Sequence, residues 1–274
     1  MLAKLLQAGL AAAALWGGCY AVTASATPVS GWSYTLDSGF SAFVPAGVTG
    51  SHNNALLGSP SSLTWGTSTG YGQSSLSVGS ATNGHRAGHL TTGAPAKNTV
   101  QVVHTNNPIT GTSLSTATLT DRLTLKATAP GSVAFTLPDL LFDINFLETF
   151  NTTPCVAPSP SGKPCNDIFA IDVAAAGFNA ADNSLNQGFS YLGDNYNAKI
   201  FLGGLGLLSN AACSAVGVAN GCVGFTTVEN TRNVFQTSLQ ILAVPLAVPE
   251  PGVLALFAIG LLGIGAIKRR QQTL

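Results

Sequence analysis

The chain has 274 residues, and its 11 Lys and Arg balance its 11 Asp and Glu, so it carries no formal net charge at pH 7. Charged residues make up only 8% of the chain, so most of its polar surface must consist of Ser, Thr, Asn and Gly. Between residues 27 and 247, seven basic residues stand against ten acidic ones, which argues against a nucleic-acid-binding protein. This composition is more typical of a secreted surface protein than of a cytosolic enzyme.

The N-terminus has the pattern of a signal peptide over residues 1–26. A single lysine precedes an apolar stretch at residues 5–16, and the small residues Ala24 and Ala26 form a signal peptidase site. We therefore predict that the export machinery and signal peptidase act on this chain and that the mature protein begins at the next residue. A lipoprotein site at Cys19 is the alternative, but the residues before it form a poor lipobox.

Four cysteines remain after the signal peptide: Cys155, Cys165, Cys213 and Cys222. An even number of cysteines in an exported chain indicates disulfides. Pairing of neighbours in sequence, Cys155 with Cys165 and Cys213 with Cys222, is favoured because each bond would close one short loop and contribute roughly 2 to 3 kcal/mol. A zinc site is the weaker alternative, because the spacings are longer than those of a zinc knuckle.

Residues 27–247 read as one secreted domain made of successive strands. In the clearest strand, Ala117, Leu119, Leu123 and Leu125 alternate with polar residues, and only Asp121 interrupts the apolar face. The same period of two recurs at residues 133–137, 140–146, 169–173 and 235–241. We predict an all-β fold, an antiparallel β-sandwich of jelly-roll type, with no long amphipathic helix before the C-terminal segment.

Two further local features complete the body of the chain. The segment "GDNYN" separates "GFSYL" from "AKIFL" and predicts a hairpin. Residues 51–97 are rich in Ser, Thr and Gly, and we predict a long loop region there, with two short strands at "SLTWG" and "SSLSV".

The C-terminal segment 248–274 ends in an apolar run and a basic cluster. Pro249, Glu250 and Pro251 precede an uncharged stretch at residues 252–267, and Lys268, Arg269 and Arg270 follow it directly. The stretch is long enough for a short transmembrane helix, and the basic cluster would remain on the cytoplasmic side. A buried C-terminal helix is the alternative, but this stretch has no polar face.

These C-terminal features resemble the PEP-CTERM sorting signal of Gram-negative bacteria, in motif, span and basic end. The resemblance implies a precursor that is anchored in the inner membrane until an exosortase cuts near the Pro-Glu-Pro motif. It also implies delivery to the cell surface or the extracellular matrix. The prolines keep the cleavage segment extended and accessible to an enzyme at the membrane surface.

The body of the chain is similar to the THxN family of PEP-CTERM proteins through four segments: "VVHTNNPI", "LETFNTTPC", "CNDIFAI" and "GFTTVEN". The motif that names the family keeps His104 and Asn106, but Val103 replaces its Thr. The resemblance implies a setting in exopolysaccharide-producing bacteria and no particular activity. His104 and Asn106 lie on one face of a predicted strand, and we expect a polar latch that bonds to the Asn107-Pro108 turn. A ligand or metal role for this pair is the alternative.

Three sequence patterns suggest catalysis or metal binding, and each falls short. The "GTSTG" segment places Ser68 in a Gly-x-Ser-x-Gly pattern, but no helix pattern follows it. His85 and His89 lack the Glu of a zinc hydrolase and read as loop histidines. The "DNSLNQG" segment lacks the glycine placement and closing Glu of a calcium loop, although calcium binding somewhere among the carboxylates of 139–194 stays open. Glu148 and Asp167 are expected to cap loops or to face water.

We therefore predict no catalytic residue, no metal ligand and no cofactor. The expected function is that of a non-catalytic binding or structural module of the cell surface or biofilm matrix, with exopolysaccharide as its partner besides the exosortase. A secreted hydrolase that acts on matrix polysaccharide or protein is the alternative. Convergence of His and carboxylate or Ser side chains in a concave pocket would favour the enzyme.

Overall fold

The computed structural model describes residues 28–79, 82–128, 133–162, 164–172, 178–179 and 181–245. The predicted signal peptide with Ala24 and Ala26, and the predicted sorting segment with its transmembrane helix, lie outside these residues. Among the described residues, no helix is long and apolar enough to cross a bilayer.

Strands dominate the described part of the chain. In chain order they are β1 (Gly31–Val44), β2 (Thr49–Asn53), β3 (Pro60–Trp65), β4 (Thr67–Ser68), β5 (Ser74–Val78), β6 (His85–Thr91), β7 (Lys97–Asn106), β8 (Ile109–Thr110), β9 (Thr116–Ala127), β10 (Phe135–Thr136), β11 (Leu140–Leu147), β12 (Asp167–Asp172), β13 (Phe178–Asn179), β14 (Ser184–Tyr191), β15 (Asp194–Leu202), β16 (Gly206–Leu207), β17 (Val223–Thr227) and β18 (Thr231–Val244). The described residues contain one short helix, α1 (Asn210–Ala215). The predicted all-β fold is confirmed.

Two large antiparallel sheets organise these strands. The first has the order β16-β17-β12-β11-β9-β1-β6, with β10 paired to β9. The second has the order β13-β14-β15-β18-β7-β5-β3-β2, and β4 pairs with β8 in a separate ribbon. Consecutive strands β17 and β18 belong to different sheets, so the chain crosses between the sheets at residues 228–230.

The hydrophobic core lies between the two sheets. Strand β11 alternates buried and more exposed residues along its length, as its period of two predicts. Trp32 of the first sheet has no exposed surface and makes edge contacts with Phe189, Tyr191 and Tyr196 of the second, at centroid distances of 5.6, 5.2 and 5.2 Å. Aromatic packing of this kind joins the sheets into one core.

Asp121 is the carboxylate that interrupts the apolar face of β9, as the sequence predicts. It is buried and lies at a cavity of about 40 Å³ whose other lining residues are mostly aliphatic and aromatic side chains of both sheets. Burial raises the pKa of Asp121 to about 6, and the neighbouring Ser38 hydroxyl acts in the opposite direction. The core therefore contains a carboxyl group whose ionised form is disfavoured by burial.

The structure corrects two local predictions. The segment 51–97 is not a long loop, because it contributes strands β2 to β6 and the start of β7. Its small polar residues are compatible with strands whose backbone forms hydrogen bonds with neighbouring strands. The two strands that were predicted within this segment are β3 and β5. The predicted hairpin is confirmed between β14 and β15, but its turn is Leu192-Gly193, whose positive φ angles of 52° and 87° suit a two-residue turn.

Both predicted disulfides are present. Cys155 bonds to Cys165 and Cys213 to Cys222, with Cα atoms 5.6 and 5.8 Å apart. The first closes the loop between β11 and β12, and the second ties α1 to the start of β17. The alternative zinc site is therefore wrong, because all four sulfur atoms are used in disulfides.

Candidate functional site

His104 and Asn106 lie on the inner face of β7, near one end of the sandwich. Both side chains have no exposed surface, and Val100 and Val102 on the same face are also buried. The predicted common orientation of the pair is confirmed. The alternation of strand residues therefore places both polar side chains between the sheets.

His104 is held in an aromatic environment as a neutral imidazole. Its Nδ1 lies 3.0 Å from Thr227 Oγ1, its ring stacks on Trp65 with centroids 5.6 Å apart, and Phe146 and Phe169 contact its edge. Burial lowers the pKa of His104 to about 3, so the ring is uncharged at neutral pH.

The predicted partner of this histidine was wrong. The Asn107-Pro108 turn does not bond to His104; instead Asn107 bonds to Ser74 and to the carbonyl of Gln73. The bond to Thr227 connects β7 of the second sheet with β17 of the first. The hydrogen bond of His104 therefore joins the two sheets, whereas the predicted latch fixed the end of a single strand.

Three carboxylates meet close to this histidine in the fold. Glu148 follows β11, Asp167 begins β12, and Glu229 lies in the crossing from β17 to β18. Leu147 pairs with Ile168 and Asp167 pairs with Thr227, so these strand ends are adjacent. One oxygen from each carboxylate lies within 4.8 Å of the others. We call Glu148, Asp167 and Glu229 the carboxylate cluster.

The prediction that Glu148 and Asp167 cap loops or face water holds only in part, because Asp167 accepts a backbone N–H of the loop after β11 but does not face water. Asp167 has no exposed surface, Glu229 is 5% exposed, and Glu148 is partly buried. Trp65 Nε1 donates to Glu148 Oε2 at 3.2 Å, and the backbone N–H of Thr149 donates to Asp167 Oδ1 at 2.8 Å. One donor comes from strand β3 of the second sheet, and the other is the residue next to Glu148.

Burial and mutual repulsion disfavour the ionised cluster. Burial is the main reason why the pKa of Glu148, of Asp167 and of Glu229 is raised. Repulsion from Glu148 raises the pKa of Asp167 further, and the hydrogen bonds from Trp65 and Thr149 act against these rises. The cluster thus needs either protons or a cation to offset its charge.

Several polar atoms around the cluster make no hydrogen bond with the described residues. They are Asp167 Oδ2, both carboxylate oxygens of Glu229, both polar side-chain atoms of Asn106, and Nε2 of the nearby His104. Buried polar groups are almost always paired, so such a concentration at one place requires an explanation.

The four segments quoted for the THxN resemblance converge at this end of the sandwich. They supply His104 and Asn106, then Glu148, then Asp167, and finally Glu229 with Thr227. Sequence reasoning missed the cluster because its members are far apart along the chain. Carboxylates recurring within the quoted segments were the signal that could have indicated it.

The other candidate residues of the sequence do not converge on this cluster. Ser68 Oγ accepts hydrogen bonds from the backbone N–H groups of Gly70 and Gly72, as in an exposed turn. His85 and His89 lie on strand β6, which corrects their prediction as loop residues.

Polar neighbours also account for the remaining patterns. His85 Nδ1 lies 2.8 Å from Asp37 Oδ1, and His89 Nδ1 lies 3.2 Å from Ser33 Oγ. In the "DNSLNQG" segment, Asp182 forms an ion pair with Lys199 at 2.5 Å. These contacts give each residue a structural role on a strand or hairpin surface.

The comparison with known families concerns the C-terminal segment. Residues 247–270 match the PEP-CTERM protein-sorting motif. The chain therefore carries the sorting signal of an exported protein that an exosortase processes. No curated protein shows significant sequence similarity to it.

A polar groove lies beside strands β7 and β18 of the second sheet and strand β6 of the first, apart from the carboxylate cluster. Its volume is about 310 Å³, and its lining includes Thr82, Arg86, Asn98, Gln101 and Gln236. Gln101 Nε2 donates to Gln236 Oε1 at 3.1 Å, and Gln236 Nε2 donates to the carbonyls of its neighbours on β7 and β18. We call these five residues the polar groove.

Proposed function

We propose that the mature protein is a non-catalytic module of the cell surface or extracellular matrix that binds exopolysaccharide through the polar groove. The sorting motif at residues 247–270 supports the setting, because it assigns the chain to exosortase processing after export. The observation that carries the binding proposal is the groove itself, a concave surface lined mainly by uncharged donors and acceptors together with Arg86.

The groove has the chemistry that sugar hydroxyls require. Asn98 and Gln101 are exposed carboxamides, each able to donate and accept at once. Their neighbour Gln236 is fixed by three hydrogen bonds, so the amide row is ordered before a ligand arrives. Arg86 adds a cation that would pair with an acidic sugar. A volume of about 310 Å³ matches small ligand sites.

The THxN resemblance and the anchored precursor form part of the same proposal. The convergence of the four quoted segments at one end of the sandwich supports a shared structural core. Before processing, residues 252–267 would hold the precursor in the inner membrane with Lys268, Arg269 and Arg270 on the cytoplasmic side. After processing, the domain would pass to the surface or matrix.

A binding assay on the processed protein tests the groove. We expect protein purified from an exosortase-positive host to bind exopolysaccharide of that host or defined glycans on an array. Replacing Asn98 and Gln101 together with Ala should weaken binding at least tenfold. Asn195→Ala changes an exposed amide on the β14–β15 hairpin and should leave binding unchanged. Equal binding by the groove variant and the native protein would refute this proposal.

A secreted hydrolase is the second candidate, and the observation that favours it is the proximity of Glu148 and Asp167, whose pKa values are both raised. Against it, Asp167 has no exposed surface and accepts the backbone N–H of Thr149, so a polysaccharide chain could not reach it. Release of reducing ends that stops in Glu148→Gln would establish the hydrolase.

A further inference from the structure

The carboxylate cluster has the spacing of ligands around a single ion. One oxygen each from Glu148, Asp167 and Glu229 lies within 4.8 Å of the other two. Oxygen ligands lie about 2.3–2.6 Å from a Ca²⁺ ion, so any two of them are at most about 5 Å apart. The three oxygens can therefore share one ion without a change of backbone.

Asn106 provides a second and independent indication of a ligand. Its side chain has no exposed surface, and neither Oδ1 nor Nδ2 makes a hydrogen bond of normal geometry with the part of the chain that the structure describes. The amide nevertheless lies against Glu229, where it lowers the pKa of that carboxyl. Rotation of the amide about its last bond presents either the nitrogen or the oxygen, so Asn106 can offer Oδ1 to an ion beside Glu229.

Surrounding donors fix part of the cluster and leave the remaining oxygens open. Trp65 holds Oε2 of Glu148, and Thr149 holds Oδ1 of Asp167. Asp167 Oδ2 and both oxygens of Glu229 make no hydrogen bond of normal geometry with the described residues, although the Asn106 and Asn151 side chains lie close enough to Glu229 to lower its pKa. Donors that fix one oxygen of a carboxylate are typical of the second layer around a metal, since they orient the other oxygen towards it.

No described cation balances the charge of this cluster. Arg122 forms an ion pair with Asp139 and Lys199 forms one with Asp182, and no Lys or Arg among the described residues forms an ion pair with the carboxylate cluster. Burying three carboxylates together carries both a desolvation cost and mutual repulsion. One divalent ion would offset both and would pair the open oxygens.

We propose that Glu148, Asp167, Glu229 and Asn106 bind one Ca²⁺ ion. The group contains carboxylates and an amide, with no imidazole nitrogen or thiolate, which favours a hard cation over zinc. Glu148 is partly exposed and the neighbouring Asn151 is exposed, so an ion and its remaining water ligands can enter from that side. This proposal departs from the sequence-based expectation of no metal ligand.

Such an ion would connect three segments of the fold. It would join the end of β11, the start of β12 and the crossing between β17 and β18, and through Asn106 it would add β7 of the second sheet. Because the ion would bind the folded protein and not the unfolded chain, Ca²⁺ should raise the melting temperature. The site is distinct from the polar groove, so the two proposals can fail separately.

Terbium luminescence and calorimetry test the site on the processed protein after treatment with a chelator. Tb³⁺ is a luminescent substitute for Ca²⁺, and Trp65 contacts Glu148 closely enough to sensitise it. We expect one Tb³⁺ per molecule, with emission excited through tryptophan and displaced by Ca²⁺. Ca²⁺ should also raise the melting temperature more than Mg²⁺ at equal concentration, because Mg²⁺ demands near-ideal octahedral geometry and gives up its water ligands reluctantly, whereas Ca²⁺ accepts a less regular set of oxygen ligands.

Variants of the cluster decide the outcome. Glu229→Gln keeps the side-chain shape, removes one charge, and should weaken Ca²⁺ binding at least tenfold. Asp182→Asn is the matched control, because it removes a surface carboxylate paired with Lys199 and should leave binding unchanged. If Glu229→Gln does not fold, Glu148→Gln at the partly exposed edge replaces it in the comparison. Absence of a Ca²⁺-dependent shift, or equal loss in the control, would overturn the proposal.

Discussion

Asp121 should make the stability of this protein depend on pH in a direction opposite to that of a paired carboxylate. Burial at the central cavity raises its pKa from 3.8 to about 6, so the folded state holds the proton more tightly than the unfolded chain. Its contribution to the free energy of unfolding is therefore greatest below pH 3.8. That contribution falls as the pH rises to about 6 and stays low above it.

The magnitude follows from the difference between the two pKa values. A rise from 3.8 to about 6 corresponds to about 3 kcal/mol of stability lost on ionisation. We expect Asp121→Asn, which is neutral at every pH, to gain up to about 3 kcal/mol relative to the native protein at neutral pH. The difference should fall towards zero at about pH 3.5, where Asp121 is protonated in both states.

Urea unfolding of the processed protein at a series of pH values measures this difference. Taking the difference between variant and native protein removes the contribution of the other titrating groups. Asp139→Asn is a control whose stability difference should change with pH in the opposite direction. Arg122 holds the pKa of Asp139 below its usual value through hydrogen bonds of 2.7 and 2.9 Å. A stability difference for Asp121→Asn that does not change with pH would refute the reasoning.

Three further predictions concern the latch, the disulfides and the sorting segment. In urea unfolding, His104→Ala should lower the free energy of unfolding by about 1 to 3 kcal/mol, because a buried hydrogen bond is lost. A double variant with Thr227→Val should lose less stability than the sum of the losses of the two single variants. Full stability of His104→Ala with lost polysaccharide binding would instead indicate a functional site. Thiol titration of the native mature protein should find no free thiol, and a peptide map that joins Cys155 to Cys213 would contradict the pairing. Neutral residues at 268–270 should leave the uncut precursor without a fixed orientation in protease-protection assays, whereas unchanged maturation would show that the cations are dispensable.

Local patterns in the sequence determined several features of this protein. The period of two in β9 and β11 predicts strands and their buried faces, because alternation is a property of each strand by itself. Asp121 was visible as an exception within that alternation. Both disulfides close loops of about ten residues, so proximity in sequence was enough to choose the partners. The sorting motif is likewise a continuous segment.

Tertiary structure alone decided the carboxylate cluster and the true partner of His104. Parity shows which side of a strand a residue occupies but not which strand lies beside it or which sheet faces it. Glu229 meets Asp167 because β17 pairs with β12, and Thr227 reaches His104 because β17 and β7 lie in facing sheets. Strands β2, β4 and β6 were missed for the same reason, since small polar residues become strands only when neighbours pair with their backbone. Contacts between distant segments depend on the order of strands, which no local pattern contains.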